Sequence, residues 1–184
     1  MTGDADVSII GANVLRLTLG IRLAEAGLRV RVRGQESDRT ALTGDEWTSW
    51  GGGSAGLPTG YRAWSDHTET VLTQLAGRPG ETGVHAKVVH VPTYRRYLER
   101  RFREAGGKLE RFDAQNADGG EPAVVDCVGM DVPAADPARE SSPGIRLEAG
   151  MRGERQLWMD YPMPTGSAVR LSWGSAGQAA ELLC

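Results

Sequence analysis

Apolar positions along the chain recur with two periods. Val7-Ser8-Ile9-Ile10 is a short apolar run that stops at Gly11-Ala12. Over residues 13–26 the apolar side chains return every three or four positions, at Val14, Leu17, Ile21 and Leu23 or Ala24, and Gly27 ends the run. That spacing predicts an amphipathic helix. Leu28, Val30 and Val32 then alternate with Arg29, Arg31 and Arg33, the period-two pattern of a strand. Residues 7–33 therefore predict a β-α-β unit with parallel pairing and a right-handed crossover.

The rest of the chain continues the alternation. Residues 34–60 are rich in Gly, Ser and Thr, include Gly51-Gly52-Gly53, and predict a long loop with a short helix near Asp45. Loops of that length in compact domains are often functional. Residues 62–75 return to helical spacing through Trp64, Val71, Leu72 and Leu75, and Arg78-Pro79-Gly80 predicts a turn. Residues 84–91 predict a strand. Residues 93–105 predict a helix capped by Thr93, with Tyr94, Tyr97, Leu98 and Phe102 on its apolar face. Strands are expected at 108–112, 124–128, 145–147 and 156–160, loops at 132–142 and 161–167, and a last helix at 172–183. Strands alternating with helices predict an α/β fold, a Rossmann-like parallel sheet flanked by helices, formed by residues 1–184 as one domain.

Composition narrows the function classes. The 184 residues include 25 Gly and 9 Pro, with 40% hydrophobic and 24% charged residues, a soluble globular balance. A net charge of −3 excludes a broadly basic nucleic-acid surface. No apolar run reaches the length of a membrane span. Residues 1–7 are acidic and lack the basic start of a signal peptide. Cys127 and Cys184 are the two cysteines, too few for a disulfide scaffold or an all-cysteine zinc site. A cytoplasmic protein with free thiols is expected, with no metal and no membrane or nucleic-acid partner.

Several blocks, in order, resemble the D-amino-acid oxidase family of flavoproteins. Residues 7–32, VSIIGANVLRLTLGIRLAEAGLRVRV, are similar to the family's opening strand, glycine fingerprint and helix. VHVPTYRRYLERRFREAGGKLERF, residues 89–112, resembles its mid-chain helix and following strand. AVVDCVGM at 123–130, IRLE at 145–148 and VRLSWGSAGQAAELL at 169–183 resemble later strands and the last helix of its flavin domain. The resemblance implies that fold. It also implies that the family's antiparallel substrate domain, inserted in two places, is lacking: the corresponding segments, 76–82 and 131–143, are short and rich in Gly, Pro and Asp. The family's substrate-carboxylate arginine would stand just before Ile145, where this chain has Glu140-Ser141-Ser142-Pro143-Gly144.

The positions that would touch the flavin depart from the pattern together. In G-x-G-x-x-G the first Gly makes a tight turn, the second admits the pyrophosphate and the third lets helix and strand pack closely. Here those positions are Gly11, Asn13 and Arg16. Asn13 places a side chain at the phosphate, and Arg16 a long basic one at a close-packing point. After the second strand, Glu36 lies late for a ribose contact. The loop lining the flavin ring becomes Thr43-Gly44-Asp45-Glu46-Trp47, and the C-terminal glycine-rich loop becomes residues 161–167 with two prolines. The resemblance thus implies a retained scaffold without FAD, with FAD binding as the alternative.

Loss of the dinucleotide would leave a cleft at the carboxyl ends of the parallel strands, where open α/β sheets bind ligands. Its expected binding residues are Gly11, Asn13, Arg16, Trp47, Trp50, Asp160 and Ser167, and its catalytic candidates Asp45, Glu46 and Tyr161. Adjacent carboxylates repel, and partial burial would raise one pKa into acid–base range. Asp45-Glu46 reads equally as a solvated tip or a helix start. Trp47 and Trp50 would stack on a planar ligand or, at i,i+3 spacing, pack in the core. His85 and His90, five apart on one presumed strand, should face opposite sides, and Asp66-His67 a solvated helix face. Trp64, Trp173 and Cys127 read as core, and Ser54 in Gly52-Gly53-Ser54-Ala55-Gly56 as linker, for lack of a preceding strand. The function expected is cofactor-independent isomerase, cyclase or dehydratase chemistry on a small, specialised metabolite. The alternatives are a non-catalytic metabolite- or partner-binding pseudo-oxidase, and an FAD-dependent oxidoreductase whose substrate domain comes from a partner. A homodimer would cover apolar surface bared by the missing domain.

Overall fold

The computed structural model describes residues 5–11, 14–34, 47–50, 59–111, 123–127, 144–149, 155–160 and 166–184. The expected β-α-β unit is present as β1 (Val7–Ile10), α1 (Val14–Glu25) and β2 (Val30–Gly34), with β1 and β2 parallel and Val7 opposite Val30. Three further strands join in parallel. β5 (Lys108–Arg111) pairs with β2, β6 (Ala123–Asp126) with the other side of β1, and β8 (Arg155–Asp160) with β6. β7 (Gly144–Ala149) pairs antiparallel with β8, giving the sheet order β5-β2-β1-β6-β8-β7. The α/β fold with a parallel sheet flanked by helices is therefore as expected.

Helices α4 (Val91–Glu104) and α5 (Gly166–Leu183) pack on either side of α1, and α2 (Thr59–Leu75) packs on α5. α1 is buried around nearly its whole circumference, from Val14 to Ala24 with Arg22 excepted. Small residues make this approach possible. A Cβ on Gly20 would stand 2.9 Å from the Phe102 ring of α4. A Cβ on Gly174 of α5 would run into the backbone of Trp64 in α2. The α2–α5 contact is also hydrogen-bonded: the Trp173 and Gly174 N–H groups donate to Thr68 Oγ1 at 3.1 and 3.0 Å. Trp64 Nε1 donates to Gln178 Oε1 at 2.6 Å.

Trp173 is the largest fully buried side chain among the described residues. Its indole N–H donates to Tyr94 Oη at 2.8 Å, and the guanidiniums of Arg22 and Arg101 lie 5.6 and 5.1 Å from its ring centroid. Arg101 is held in turn by Glu25 at 2.8 Å. Burial raises the Tyr94 hydroxyl pKa, keeping it a neutral partner for the indole. Trp64, Trp173 and Cys127 are buried, in agreement with their expected packing roles.

Several boundaries and faces differ from the sequence-based expectation. α4 starts at Val91, with His90 in the N-cap position and Pro92 in the first turn, so Thr93 lies inside the helix. Pro at the start of a helix costs no hydrogen bond, which lets the helix begin two residues early. α5 begins at Gly166 rather than at Ser172. Arg78-Pro79-Gly80 leads into a short helix, α3 (Pro79–Thr82). Arg33 on β2, expected to alternate outward, is only 6% exposed. Glu110, opposite it on β5, stands 3.8 Å from Arg33 Nε and 3.1 Å from Arg31 Nε, so the polar face of β2 carries its own counter-charge.

The closeness of α5 to α2 makes Gly174 a sensitive position. Gly174→Ala should destabilise the fold by on the order of 1–3 kcal/mol, because backbone rather than a flexible side chain blocks the added methyl group. Thermal melting checks this: about 2–4 °C of lowering is expected per kcal/mol in a chain of this size. An unchanged melting temperature would mean the helices pack less closely.

Candidate functional site

The parallel strands deliver Gly11, Gly34 and Cys127 to one end of the sheet, directly after β1, at the end of β2 and after β6. Gly11 stands at a position that only glycine fits. Its φ is +149°, and a Cβ there would lie 2.9 Å from Cys127 Cβ. Its N–H donates to Arg33 O at 3.2 Å, and Cys127 N–H donates to Ile10 O at 2.7 Å, which ties the end of β1 on both sides.

Arg16 occupies the space this turn encloses. It lies in the first turn of α1 and is only 6% exposed. Its guanidinium donates to the Gly11 carbonyl and lies over Gly34, where it fills the position a Cβ would take. The long side chain folds back across the ends of β1 and β2. A dinucleotide bound in such a fold sets its pyrophosphate against the first strand-to-helix turn, at the helix N-terminus. With Arg16 packed here, the residues present do not fit that group.

A second group lies on a two-stranded ribbon. β3 (Trp47–Ser49) pairs antiparallel with β4 (Val88–His90), Trp47 opposite His90. The i,i+3 helical spacing considered for Trp47 and Trp50 is thus not realised. Trp50 is buried, and its indole N–H donates to the carbonyls of His85 and Val88 at 3.2 and 3.3 Å. It anchors the ribbon from beneath and is withdrawn as a ligand-stacking residue. Trp47 is 49% exposed. Its ring centroid lies 5.1 Å from that of His85 and 4.9 Å from that of His90.

The opposite-face expectation for His85 and His90 is therefore corrected. Residues 84–91 do not form one strand. The chain reverses at Ala86-Lys87, with Val84 bridged to Val89 and His85 N–H donating to Val88 O at 2.9 Å. After a two-residue reversal His85 faces Val88, and His90, two positions on, shares that face. Val84 and Val89 fill the other, buried face. α4 runs back from this ribbon to the start of β5, so Trp47, His85 and His90 lie at the same end of the sheet as Gly11 and Gly34. His90 Nδ1 is 2.8 Å from Thr93 Oγ1, which also accepts from Arg96 at 3.1 Å.

Of the other expected site residues, Asn13, Asp45, Glu46 and Tyr161 lie outside the described residues, as do Glu36 and Ser54. Asp160 ends β8 and Ser167 lies in the first turn of α5, so both backbones are at the carboxyl end of the sheet. Among the described residues, no group of three or more His, Cys, Asp or Glu could hold a metal ion, and no helix is long and apolar enough to cross a membrane. His67 is exposed, as expected, but its Nε2 lies 2.7 Å from an Arg22 guanidinium nitrogen.

No protein-family profile matches the chain. A D-amino-acid oxidase of Streptomyces coelicolor is 36% identical over 84 residues, 44% of this chain and 25% of the oxidase. The match thus spans a quarter of that relative's length. Among solved structures, glycine oxidase from Bacillus cereus superposes with a TM-score of 0.63 at 11% identity, covering 98% of this chain and 95% of that one. The Thermovibrio ammonificans THI4 structure superposes with a TM-score of 0.54 at 11% identity, covering 98% and 89%. The chain has the flavin-domain fold of D-amino-acid-oxidase-like proteins.

Two outcomes follow from this geometry. Gly34→Ala should displace the Arg16 guanidinium and destabilise the fold, whereas the same change in an Arg16→Ala background should cost little. A double-mutant cycle by urea denaturation should give a coupling of about 0.5–3 kcal/mol, and additive effects would place the guanidinium elsewhere. His67 is held below the ordinary histidine pKa of 6.5, first by burial and then by the Arg22 charge. The unfolded chain then binds more protons than the folded one just below that pKa, so the contribution is complete above it and is lost as pH falls. The urea midpoint should drop from roughly pH 8 towards pH 5, and His67→Gln should flatten that slope. An identical slope in the variant would remove His67 as its source.

Proposed function

We propose that this chain is a cofactor-independent enzyme acting on a small metabolite by acid–base chemistry of the isomerase, cyclase or dehydratase kind. The observation that carries this is the Arg16 guanidinium, packed on the Gly11 carbonyl over Gly34 in the space a dinucleotide would need. The scaffold remains, with its first glycine and its parallel strands, while the cradle is filled from within. The cleft at the carboxyl end is the natural ligand position of such a sheet. The chain following β2 carries Asp45 and Glu46, and the chain following β8 carries Tyr161. Each of those segments leaves the sheet at that end. In this proposal Asp45, Glu46 and Tyr161 move the proton, and Asn13, Asp160, Ser167 and the exposed Trp47 hold the substrate.

A second proposal draws on a different observation. Gly11 retains its close approach to Cys127, and a matched relative is named a D-amino-acid oxidase. These favour a domain that still takes FAD and obtains its substrate domain from another chain. Absorbance separates the two. The cofactor-independent enzyme should purify colourless and show no flavin band after incubation with FAD and gel filtration. A stoichiometric flavin band would sink it. The enzyme should also convert a metabolite in a flavin-free small-molecule extract, seen by mass spectrometry as an isomer or a dehydrated product. Asp45→Asn/Glu46→Gln and Tyr161→Phe should each slow that conversion by roughly 100-fold or more. Conversion at the wild-type rate in both variants would remove these residues as acid–base groups.

A further inference from the structure

Arg16 has a consequence beyond the activity proposed above. We propose that Arg16 is a specificity plug: one side chain closes a dinucleotide cradle between Gly11 and Gly34, and shortening it opens the cradle to the ADP portion of FAD. The proposal rests on the cofactor-independent reading only in taking the wild-type cradle as closed.

Four observations support it. Gly11, directly after β1, holds a backbone conformation that favours glycine, with φ of +149° and Cys127 Cβ 2.9 Å from where its own Cβ would be. The turn is held in place from both neighbouring strands, through Gly11 N–H to Arg33 O and Cys127 N–H to Ile10 O. α1 still packs tightly on the sheet and on α4, through Gly20 against Val32 and Phe102. Finally, β2 ends in Gly34, which has no side chain, and the guanidinium fills that absence. At Gly11 and Gly34 the obstruction therefore comes from a side chain and not from the backbone.

The charge of the plug supports the same conclusion. The first turn of a helix carries exposed N–H groups and partial positive charge, and so favours an anion. Arg16 puts a buried cation in that turn, 12 residues of helix following from Val14. The Gly11 carbonyl compensates it. Removing the guanidinium removes a charge of the wrong sign for the helix and frees a volume beside it. A pyrophosphate is an anion of the sign that such a helix start favours. Asn13 stands at the second fingerprint position, where the pattern has Gly.

The test uses the full chain, in three forms: wild type, Arg16→Ala and Asn13→Gly/Arg16→Gly. Arg16→Ala keeps a strong helix former in α1 and guards against simple unfolding. Circular dichroism establishes that each form is folded. Quenching of FAD fluorescence then measures binding, with ADP as competitor and riboflavin, which lacks the ADP portion, as a second ligand. The plug predicts that at least one variant binds FAD roughly tenfold or more tightly than wild type, that ADP competes, and that riboflavin gains nothing. If folded variants bind FAD no better than a non-binding wild type, the plug is overturned, while the cofactor-independent function stands. If wild type binds FAD as tightly as the variants, both the plug and that function are overturned. A gain shared by riboflavin would place the new site elsewhere and also overturn the plug.

Discussion

A helix buried on nearly all sides has no solvent to which it can turn a charge. α1 lies between the sheet, α4 and α5, and its residues from Val14 to Ala24 are almost all buried. Any charged side chain on it must find its partner inside. Arg22, near the far end, meets that demand with the Trp173 ring and His67. Arg16, in the first turn, meets it with the carbonyl of Gly11 and the bare backbone of Gly34. The fate of the cradle follows from this constraint. A buried guanidinium without polar contacts would cost several kcal/mol, so the side chain lies across the turn rather than in apolar packing.

The same end of the sheet carries a different kind of surface on its ribbon. Trp50 fixes β3 and β4 from the buried side, leaving Trp47 exposed between His85 and His90. One tryptophan of the pair is thus structural and the other open to a partner molecule. Arg16 fills the cradle, while Trp47 on the ribbon at the same end of the sheet is exposed. The chain leaves β2 and β8 at this same end.

The first β-α-β unit was legible because its periods are clean: a short, mostly apolar run, a 3.6-residue repeat, then strict alternation, punctuated by Gly11 and Gly27. The ribbon was not. β3 is three residues long inside a Gly- and Ser-rich stretch, too short to show a period. The reversal at Ala86-Lys87 carries none of the Gly or Asn residues that usually mark a two-residue hairpin, so residues 84–91 read as one strand and the two histidines as opposed. Arg33 looked solvent-facing because alternation says which side a residue takes, not what covers that side or that Glu110 waits there. For Arg16, the sequence showed that the fingerprint was broken. Where the long side chain goes depends on Gly34, eighteen positions away and brought close only by the parallel pairing of β1 and β2.

The central claim is the location of one guanidinium, and nuclear magnetic resonance of the arginine side chains tests it most directly. With selectively labelled arginine, Arg16 should show slowly exchanging guanidinium protons with cross-relaxation to the Gly34 Hα protons, and neither should change on adding excess FAD. Fast exchange with water, no contact to Gly34, and FAD-induced shifts at Gly11 and Gly34 would together contradict it.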